Sequence, residues 1–261
     1  MSATLPSTAP LLSIEGSVAT LTLNRPAHRN RLQDEDLLAL AAHFTRVDQD
    51  PAIRVLVLRA NTAGQPRPVF CAGYDIGGFD APGGPAVSFE SLVDAYAALR
   101  PVTICALDGS VYGGATDLFV ASDLRIAQEG VELRMPAAAL GLHYYPSGLQ
   151  RYVTRMGVTF TKRAFLTARP FSARQLQAAG CLEDLVPADA FEDALAALVR
   201  DVAALAPLAL RTMKQSIDEL ARGQFDAQAL RERERAALAS DDFAEGRRAF
   251  AQRRPPDFTG R

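Results

Sequence analysis

Three short apolar runs alternate with segments of helical spacing, and this alternation limits the fold more than any other feature of the chain. The runs "IRVLVLRA", "PVTICAL" and "DLRIA" have the composition of strands that are buried on both faces. The segments "QDEDLLALAAHFTRVDQDP" and "SFESLVDAYAALR" are typical of helices. Alternating strands and helices need crossover connections, so the pattern predicts an α/β fold with a mostly parallel sheet.

The pattern changes near residue 147, beyond which almost every segment has the spacing of an amphipathic helix. We predict helices in five ranges: 148–166, 172–180, 188–205, 207–222 and 225–251. A chain of 261 residues fits one large domain, or one domain with a helical appendage. We therefore expect a flexible tail at residues 1–10, an α/β core at 11–200 and a helical region at 201–261.

The charge balance and the lack of long apolar runs limit the classes of partner. Lysine and arginine total 28 against 30 acidic residues, which gives no reason to expect binding to nucleic acid or to an anionic membrane. No apolar run approaches the length that spans a bilayer. We therefore expect a soluble protein. The N-terminal "MSATLPSTAP" lacks the basic and apolar regions of a signal peptide, which favours a frayed tail.

Cysteine and histidine usage argues against disulfides and against a metal site. The three cysteines, Cys71, Cys105 and Cys181, are odd in number and irregularly spaced. We therefore expect free thiols in a reducing, cytoplasmic compartment. The three histidines have no metal-ligand spacing, so we expect no bound metal.

Two glycine-rich stretches, "VFCAGYDIGGF" and "DGSVYGGATDL", place small residues where strands are expected to end. Tight turns can direct several backbone N–H groups into one concavity, and glycine lets a ligand approach the backbone closely. Neither stretch is a phosphate-binding loop, because GxxxxGK(S/T) and GxGxxG are both absent. Two N–H groups from separate strands could converge on one oxygen as an oxyanion hole, but the spacing alone also fits ordinary strand-to-helix turns.

Nine segments, taken in order, resemble the crotonase (enoyl-CoA hydratase/isomerase) superfamily from about Leu11 to Arg261. They are "LTLNRP", "IRVLVLRA", "VFCAGYDI", "DGSVYGGATDL", "SDLRIA", "MPAAALGL", "FLTARPFSARQLQAAGCLEDLVP", "APLALRTMKQS" and "DFAEGRRAFAQRRPPDFTGR". The resemblance implies a spiral of ββα units with a C-terminal helical region, assembled as homotrimers or dimers of trimers. It also implies an acyl-CoA substrate, with coenzyme A as part of that substrate and no prosthetic group.

The resemblance further implies that two backbone N–H groups stabilise a thioester enolate. By position these are the amides of Tyr74 and Gly114, with Gly113 in the second turn. Family members often have a small residue in place of Tyr74, and only its backbone takes part. The ring of Tyr74 must therefore either pack aside or narrow the acyl pocket.

A path for coenzyme A also follows from the resemblance. It includes six residues: Arg25, Ala72, Asp75, Ile76, Phe250 and Arg253. The loop residues 72–76 would hold the adenine and the pantetheine arm, and Arg25 would lie near the nucleotide end. Phe250 and Arg253 match positions that in many relatives meet the coenzyme A of a neighbouring subunit. Arginine suits a phosphate because its planar guanidinium can donate two hydrogen bonds.

The residues that would carry hydration depart from the family pattern. Hydratases of the family use two glutamates, one to activate water and one to deliver a proton. This chain has the shorter carboxylate Asp117 at the first position and Ala137, which cannot move a proton, at the second. Ordinary hydration is therefore doubtful, whereas Asp117 alone could still shift a double bond. Asp117 could also be an early-helix residue that the helix dipole favours.

A narrower resemblance is to the methylmalonyl-CoA decarboxylases of the superfamily. The shared segments are "GSVYGGATDL…SDLRIA…MPAAALGLHYYPSGL", and they align a tyrosine of those enzymes with Tyr144. CO2 can leave once the carboxylate is held out of the thioester plane, for which a hydroxyl in an apolar pocket is sufficient. A second glutamate would repel the carboxylate of the substrate, so its loss is expected.

The match to those decarboxylases is incomplete around the tyrosine. Pro136 stands where they have a threonine, and His143 and Tyr145 flank Tyr144. His143 could donate a proton, because imidazole titrates near neutral pH, and Tyr145 fits the wall of the pocket.

Three functions remain open on the sequence. The first is a lyase that decarboxylates a malonyl-type coenzyme A thioester. The second is a hydratase or double-bond isomerase that uses Asp117. The third is an acyl-CoA-binding subunit without catalytic activity, which the missing glutamate leaves possible.

Overall fold

The computed structural model describes residues 8–75, 77 and 86–261, and within them the chain has an α/β fold of ten strands and nine α-helices. The strands are β1 (Leu11–Glu15), β2 (Val18–Leu23), β3 (Val55–Ala60), β4 (Val69–Cys71), β5 (Val102–Leu107), β6 (Ser110–Tyr112), β7 (Leu124–Gln128), β8 (Glu132–Arg134), β9 (Phe171–Ser172) and β10 (Asp184–Val186). The helices are α1 (Asp34–Gln49), α2 (Phe89–Ala97), α3 (Ala115–Ala121), α4 (Pro146–Thr167), α5 (Ala173–Ala178), α6 (Phe191–Ala203), α7 (Pro207–Ala221), α8 (Ala227–Leu238) and α9 (Asp241–Gln252). Residues 1–7 of the expected tail, and Ile76 of the expected coenzyme A path, lie outside the described residues.

The larger sheet has six strands in the order β1-β2-β3-β5-β7-β10. β1 and β2 form an antiparallel hairpin around Gly16, and every other neighbouring pair is parallel. All of β5 and all of β3 except Arg59 are buried. The prediction of a mostly parallel sheet with fully buried central strands is confirmed.

A second sheet, in the order β4-β6-β8-β9, carries the two glycine-rich stretches. β4 and β6 are parallel neighbours, with Cys71 opposite Val111. β4 ends at Cys71 and β6 ends at Tyr112, so the glycines that follow the two strands leave the same edge of the sheet. Parallel pairing thus brings together two turns that are about forty residues apart in the sequence.

Helices cover both faces of the larger sheet. On one face α1, α2 and α3 pack together, and the rings of Phe44 and Tyr96 meet with centroids 5.3 Å apart. On the other face α6 packs on β3, β5 and β7 through Phe191, Leu195 and Val202. The helices on the first face carry the side chains that surround the two glycine turns.

The C-terminal helices follow the predicted ranges with two exceptions. The range 148–166 is predicted as one helix, but Gly157 within α4 has the non-helical angles φ 78° and ψ 159°, so the helix is interrupted there. The range 225–251 is predicted as a single helix, but α8 and α9 are separate and the chain breaks at Ala239 and Ser240. The hydroxyl of Ser240 accepts a hydrogen bond from the N–H of Phe243 at 3.1 Å and so caps α9. A serine among helix-forming residues can be an interior residue or a cap, which is why the pattern did not show the break.

Among the described residues there is no membrane-spanning helix, disulfide or metal cluster. None of their helices has both the length and the apolar character needed to cross a membrane. Cys71, Cys105 and Cys181 are free and buried. No group of three or more histidine, cysteine or acidic side chains among these residues could hold a metal ion.

Candidate active site

The two glycine turns touch each other. A Cβ placed on Gly73 would lie 3.0 Å from the carbonyl oxygen of Tyr112 and 3.5 Å from the backbone nitrogen of Gly114. A Cβ on Gly113 would lie 3.6 Å from the Cα of Gly73. The φ angles of Gly73 and Gly113 are 102° and 58°, which other residues rarely adopt. Backbone conformation and close approach therefore both require glycine in these turns.

Gly114 presents its backbone N–H at this contact and leads directly into α3. The neighbouring N–H of Gly113 donates to the carbonyl of Arg134 at 2.9 Å. The N–H of Gly114, by contrast, meets no acceptor in the part of the chain that the structure describes. A backbone N–H that lacks an internal partner beside a tight turn can bind an oxygen of a ligand.

Tyr74 occupies the first turn, and its ring packs against α2. A parallel bridge joins it to Leu32, through the carbonyl before Tyr74 at 2.9 Å and the N–H of Asp75 after it at 2.8 Å. The ring stacks on Phe89 with centroids 5.5 Å apart, and the hydroxyl donates to Asp34. Burial and then the Asp34 carboxylate raise the pKa of Tyr74 to about 12.

Phe89, the first residue of α2, is a site residue that the sequence did not indicate. Its ring atoms Cε1 and Cζ would lie 3.0 and 3.1 Å from a Cβ on Gly114. The same ring lies 6.4 Å from that of Tyr145, centroid to centroid. Phe89 therefore links both turns to the residues that follow α3 in the chain. In "SFESL" it has no feature that separates it from an ordinary core-facing helix residue.

Asp117, in the first turn of α3, is held in an ion pair. Its side chain is 0% exposed, and Arg151 of α4 donates to it from Nε at 3.0 Å and from Nη2 at 2.7 Å. Arg151 also pairs with Asp94 of α2. A carboxylate that accepts two hydrogen bonds from one guanidinium is strongly bound and fixed in orientation.

Two tyrosines extend this ion pair into a chain of hydroxyl groups. Tyr145 donates to Oδ2 of Asp117 at 2.5 Å, and Tyr144 donates to the hydroxyl of Tyr145 at 3.0 Å. The two rings stack 4.2 Å apart, and Tyr144 is 7% exposed. Burial and then the charge of Asp117 raise the pKa of both tyrosines above its ordinary value, so both are neutral at physiological pH.

Gly148, in the first turn of α4, makes room for this hydroxyl chain. A Cβ there would lie 2.4 Å from the ring of Tyr144, 2.6 Å from the ring of Tyr145 and 2.9 Å from Oδ2 of Asp117. Neither Gly148 nor Arg151 stood out in the sequence, because both lie in an amphipathic helix. Only the packing of α3 against α4 shows that they belong to the site.

The family of the protein follows from comparison with known proteins. A family model described as enoyl-CoA hydratase/isomerase matches residues 13–261. The chain belongs to the enoyl-CoA hydratase/isomerase family. The match also confirms the resemblance to the crotonase superfamily that the ordered segments of the sequence indicate.

The relatives of this family member are named for different reactions. The chain is 29% identical to 2,3-dehydroadipyl-CoA hydratase of Escherichia coli (strain K12), over 96% of this chain and 98% of that protein. It is 28% identical to methylmalonyl-CoA decarboxylase of the same organism, over 93% of this chain and 95% of that protein. A crystal structure of an enoyl-CoA hydratase/isomerase family protein from Hyphomonas neptunium matches with a TM-score of 0.86 at 28% identity, over 100% of both chains. Overall similarity therefore does not select between hydration and decarboxylation.

The position of the second family glutamate lies in a short turn after β8. Ala137 is buried and begins this turn, and the carbonyl of the preceding Pro136 accepts a hydrogen bond from Leu140 at 3.2 Å. The methyl group of Ala137 supplies no proton to a substrate. His143 is exposed, and its Nδ1 lies 2.8 Å from the carbonyl oxygen of Tyr144.

Three residues expected along coenzyme A lie in the N-terminal part of this family member. Nη2 of Arg25 donates to both carboxylate oxygens of the buried Asp36 at 3.1 Å, which fixes Arg25 against α1. Asp75 pairs with Arg31 at 3.1 Å, and Ala72 is exposed beside the first turn. Arg25 therefore has a buried carboxylate as its partner, which the "NRP" motif alone did not indicate.

Phe250 and Arg253, the other residues expected along coenzyme A, lie at the end of α9. Phe250 is 88% exposed and lines a cavity of about 1050 Å³ formed by α7, α8 and α9. Arg253 is exposed and ends α9 with a left-handed backbone, at φ 53°. Both residues therefore lie on the surface of the protein, at the C-terminal helices.

Proposed function

We propose that the protein binds an acyl-CoA thioester, stabilises its enolate and decarboxylates a malonyl-type substrate. The observation that carries the choice of reaction is the ion pair of Asp117 with Arg151. The Asp117 carboxylate is fully buried and accepts two hydrogen bonds from Arg151 and one from Tyr145. Both carboxylate oxygens already accept hydrogen bonds from Arg151 or Tyr145, so the geometry does not leave Asp117 free to take a proton from a substrate or from water.

The contact between the two glycine turns supports the enolate site. The N–H of Gly114 is the donor that the geometry favours, and the N–H of Tyr74 is the second donor that the family resemblance implies. Both belong to turns that Gly73 and Gly113 hold against each other. A fixed N–H that meets a developing negative oxygen typically lowers a barrier by roughly 3 kcal/mol.

Decarboxylation matches a site without a free base. The bond between the α-carbon and the carboxylate carbon breaks, its electron pair enters the enolate, and CO2 leaves. No proton is removed in this step, so its rate depends on enolate stabilisation and on the orientation of the carboxylate. A proton from solvent, or from an acid such as the exposed His143, then replaces CO2 on the α-carbon.

Tyr144 and Tyr145 suit the carboxylate side of such a substrate. Both hydroxyls are neutral, so neither repels the carboxylate. Tyr145 donates its proton to Asp117, whereas Tyr144 donates only to another hydroxyl and can rotate its proton towards a substrate. Ala137 adds no charge, whereas a glutamate in its place would repel the substrate.

Release of CO2 from malonyl-CoA and methylmalonyl-CoA by the purified protein tests the proposal. Tyr144→Phe should slow the release about 10- to 100-fold, because a hydrogen bond to a charged group is worth about 1.5–3 kcal/mol. Tyr96→Phe is the matched control, since it also loses a buried hydroxyl, one that bonds to Ser122 at 2.9 Å, and it should keep the wild-type rate.

Hydration or double-bond isomerisation by Asp117 is the alternative, and the 29% identity to a hydratase favours it. It predicts that crotonyl-CoA loses its enoyl absorbance, or that a 3-enoyl-CoA gains one, and that Asp117→Asn abolishes the change. Such turnover without CO2 release would replace the proposed decarboxylation. Binding of thioesters with no turnover of any kind would leave a catalytically silent acyl-CoA-binding subunit.

We also propose that the protein assembles as a homotrimer or a dimer of trimers through α7, α8 and α9. Exposed apolar side chains on these helices support the proposal: Met213, Ile217, Leu220, Leu238, Phe243 and Phe250. Exposed apolar surface of this extent marks an interaction site. Light scattering should give a mass of three or six chains, and a monomer would contradict the proposal.

A reducing compartment such as the cytoplasm is the location that we propose. The three cysteines are free and buried, so the fold does not depend on an oxidised pair. Burial raises the pKa of Cys71 and Cys105 to about 12, which keeps both thiols protonated and unreactive.

A further inference from the structure

Four arginines line one cavity of about 440 Å³: Arg54, Arg100, Arg211 and Arg261. Arg54 directly precedes β3, and Arg100 precedes β5 by two residues. The cavity therefore lies at the amino ends of these strands, whereas the glycine turns follow the carboxyl ends of β4 and β6. It belongs to a different part of the molecule from the proposed active site.

None of the four guanidinium groups forms an ion pair with a carboxylate of residues 8–75, 77 or 86–261. By contrast, arginines elsewhere in this fold commonly have such a partner, as Arg151 has in Asp117 and Arg233 has in Glu219. The cavity therefore concentrates four guanidinium groups that no ion pair with a described side chain neutralises.

Backbone carbonyls fix two of the arginines without neutralising them. Arg54 donates to the carbonyls of Ala203 at 3.1 Å and Phe258 at 2.6 Å. Arg100 donates to the carbonyls of Ile53 at 3.0 Å and Asp50 at 2.5 Å, among others. A carbonyl is uncharged, so both guanidiniums keep their positive charge in a fixed position. Nε, Nη1 and Nη2 of Arg100 all donate to carbonyls, so Arg100 acts on an anion mainly through its charge.

Two carboxylates near Arg100 accept hydrogen bonds from backbone N–H groups and keep their negative charge. Asp48 accepts from the N–H of Arg100 at 2.7 Å, and Asp50 accepts from the N–H of Ala52 at 3.0 Å. Burial lowers the pKa of Arg100, and the positive charge of Arg211 adds to this shift, while Asp48 and Asp50 oppose it. Arg100 and Arg211 are thus close enough to repel each other, and a bound anion would relieve that repulsion.

We propose that this cavity is a binding site for a small, multiply charged phosphorylated anion of about the size of pyrophosphate. Guanidinium groups bind phosphoryl oxygens through paired hydrogen bonds, and several of them can share one anion. The volume lies within the range of about 300–1,000 Å³ that small-ligand sites have. Ser17 and Thr259 also line the cavity, and each has a hydroxyl that can donate to an oxygen.

Calorimetric titration of the full chain with pyrophosphate tests the site. Arg211 is exposed, and its side chain makes no ion pair or hydrogen bond with a described residue, so Arg211→Glu should fold normally. We expect this variant to bind pyrophosphate at least tenfold more weakly, about the effect of one charge-assisted hydrogen bond. Arg222→Glu makes the same charge change at the other end of α7 and should bind as the wild type does.

Titrations with inorganic phosphate and with ADP test which kind of phosphorylated anion the cavity binds. Inorganic phosphate should bind more weakly than pyrophosphate because it carries less charge. ADP should bind as well as pyrophosphate if the site holds phosphates alone, and more tightly if it also accepts a nucleoside, and Arg211→Glu should weaken either mode. No measurable binding of pyrophosphate or ADP to the wild type, or equal binding by the wild type and Arg211→Glu, would overturn the proposal.

Discussion

Backbone groups form one side of the proposed active site, and side chains form the other. One side, the backbone wall, is made of residues 72–74 and 113–114 in the two glycine turns. The other side, the side-chain wall, is made of Asp117, Tyr144, Tyr145 and Arg151. Parallel strands fix the backbone wall, whereas hydrogen bonds between α3, the loop before α4 and α4 itself fix the side-chain wall.

This difference determines which substitutions and which conditions disrupt each side. The backbone wall contains no buried charge, because its one ionisable side chain, Tyr74, is a neutral phenol, and its glycines exclude added atoms. The side-chain wall contains a buried charge, a second charge that balances it and two buried hydroxyls. We therefore expect the side-chain wall to respond to charge-removing substitutions and to alkali, and the backbone wall to respond mainly to added volume or to loss of an N–H.

The largest expected effect is on the side-chain wall, through Arg151→Met. This change leaves Asp117 buried without its counter-charge, so it should lower the free energy of unfolding by about 3–5 kcal/mol, measured by urea denaturation. Arg151→Met combined with Asp117→Asn removes both charges and should recover most of the loss. A single variant as stable as the wild type would show that the ion pair does not hold this wall.

An added methyl group at Gly148 should have the next largest effect. Gly148→Ala places a Cβ within 2.4–2.9 Å of both tyrosine rings and Asp117, so it should destabilise the fold by about 1–3 kcal/mol. Gly246→Ala in α9 is the control, because its Cβ would meet Phe258 at an ordinary 3.6 Å. Thermal unfolding of both variants makes the comparison, and equal midpoints would contradict the packing that we describe.

Alkaline pH should destabilise the side-chain wall through its two buried tyrosines. Tyr144 and Tyr145 have raised pKa values in the folded state, so they stabilise the fold fully below about pH 10, where the unfolded chain also keeps its protons. Above pH 10 each should cost about 1.4 kcal/mol per pH unit, because the unfolded chain loses protons that the fold retains. Cys71, whose pKa is raised to about 12, begins the same loss near pH 9.

Urea midpoints between pH 8 and pH 11.5 measure this dependence. Tyr145→Phe should flatten the decline above pH 10, and Cys71→Ala should flatten it from pH 9. Slopes that do not differ between Tyr145→Phe and the wild type would mean that the hydroxyl of Tyr145 is not protected in the fold.

The smallest expected effect concerns Phe89, which separates the two walls. Phe89→Ala should enlarge the acyl pocket, because the ring lies over Gly114 and beside Tyr145. We expect the affinity for hexanoyl-CoA to rise about tenfold relative to that for acetyl-CoA, measured by calorimetry. Phe225→Ala, which removes an exposed side chain between α7 and α8, should leave the ratio unchanged. A uniform loss for both thioesters would assign Phe89 a structural role only.

The sequence predicted the backbone wall better than the side-chain wall. Two glycine-rich stretches after buried strands suffice to predict turns, and parallel pairing then brings those turns together. The pairing of Asp117 with Arg151 spans 34 residues and depends on how α3 packs on α4. Nothing in the helical pattern distinguishes Arg151, which faces Asp117, from Arg155, which binds carbonyls at the end of α3.

Removal of the Gly114 N–H tests the central claim most directly. Gly114 has φ −54° and ψ −33°, which proline can adopt, so Gly114→Pro replaces the amide hydrogen by a ring carbon and deletes the donor. Gly114→Ala adds a Cβ but keeps the N–H. Each of the two substitutions is made in a protein that also carries Phe89→Ala, because the Phe89 ring would otherwise contact the new Cβ. We predict that Gly114→Pro releases CO2 from malonyl-CoA about 100- to 1,000-fold more slowly than Gly114→Ala. Equal rates for the two variants would contradict an enolate site at this amide.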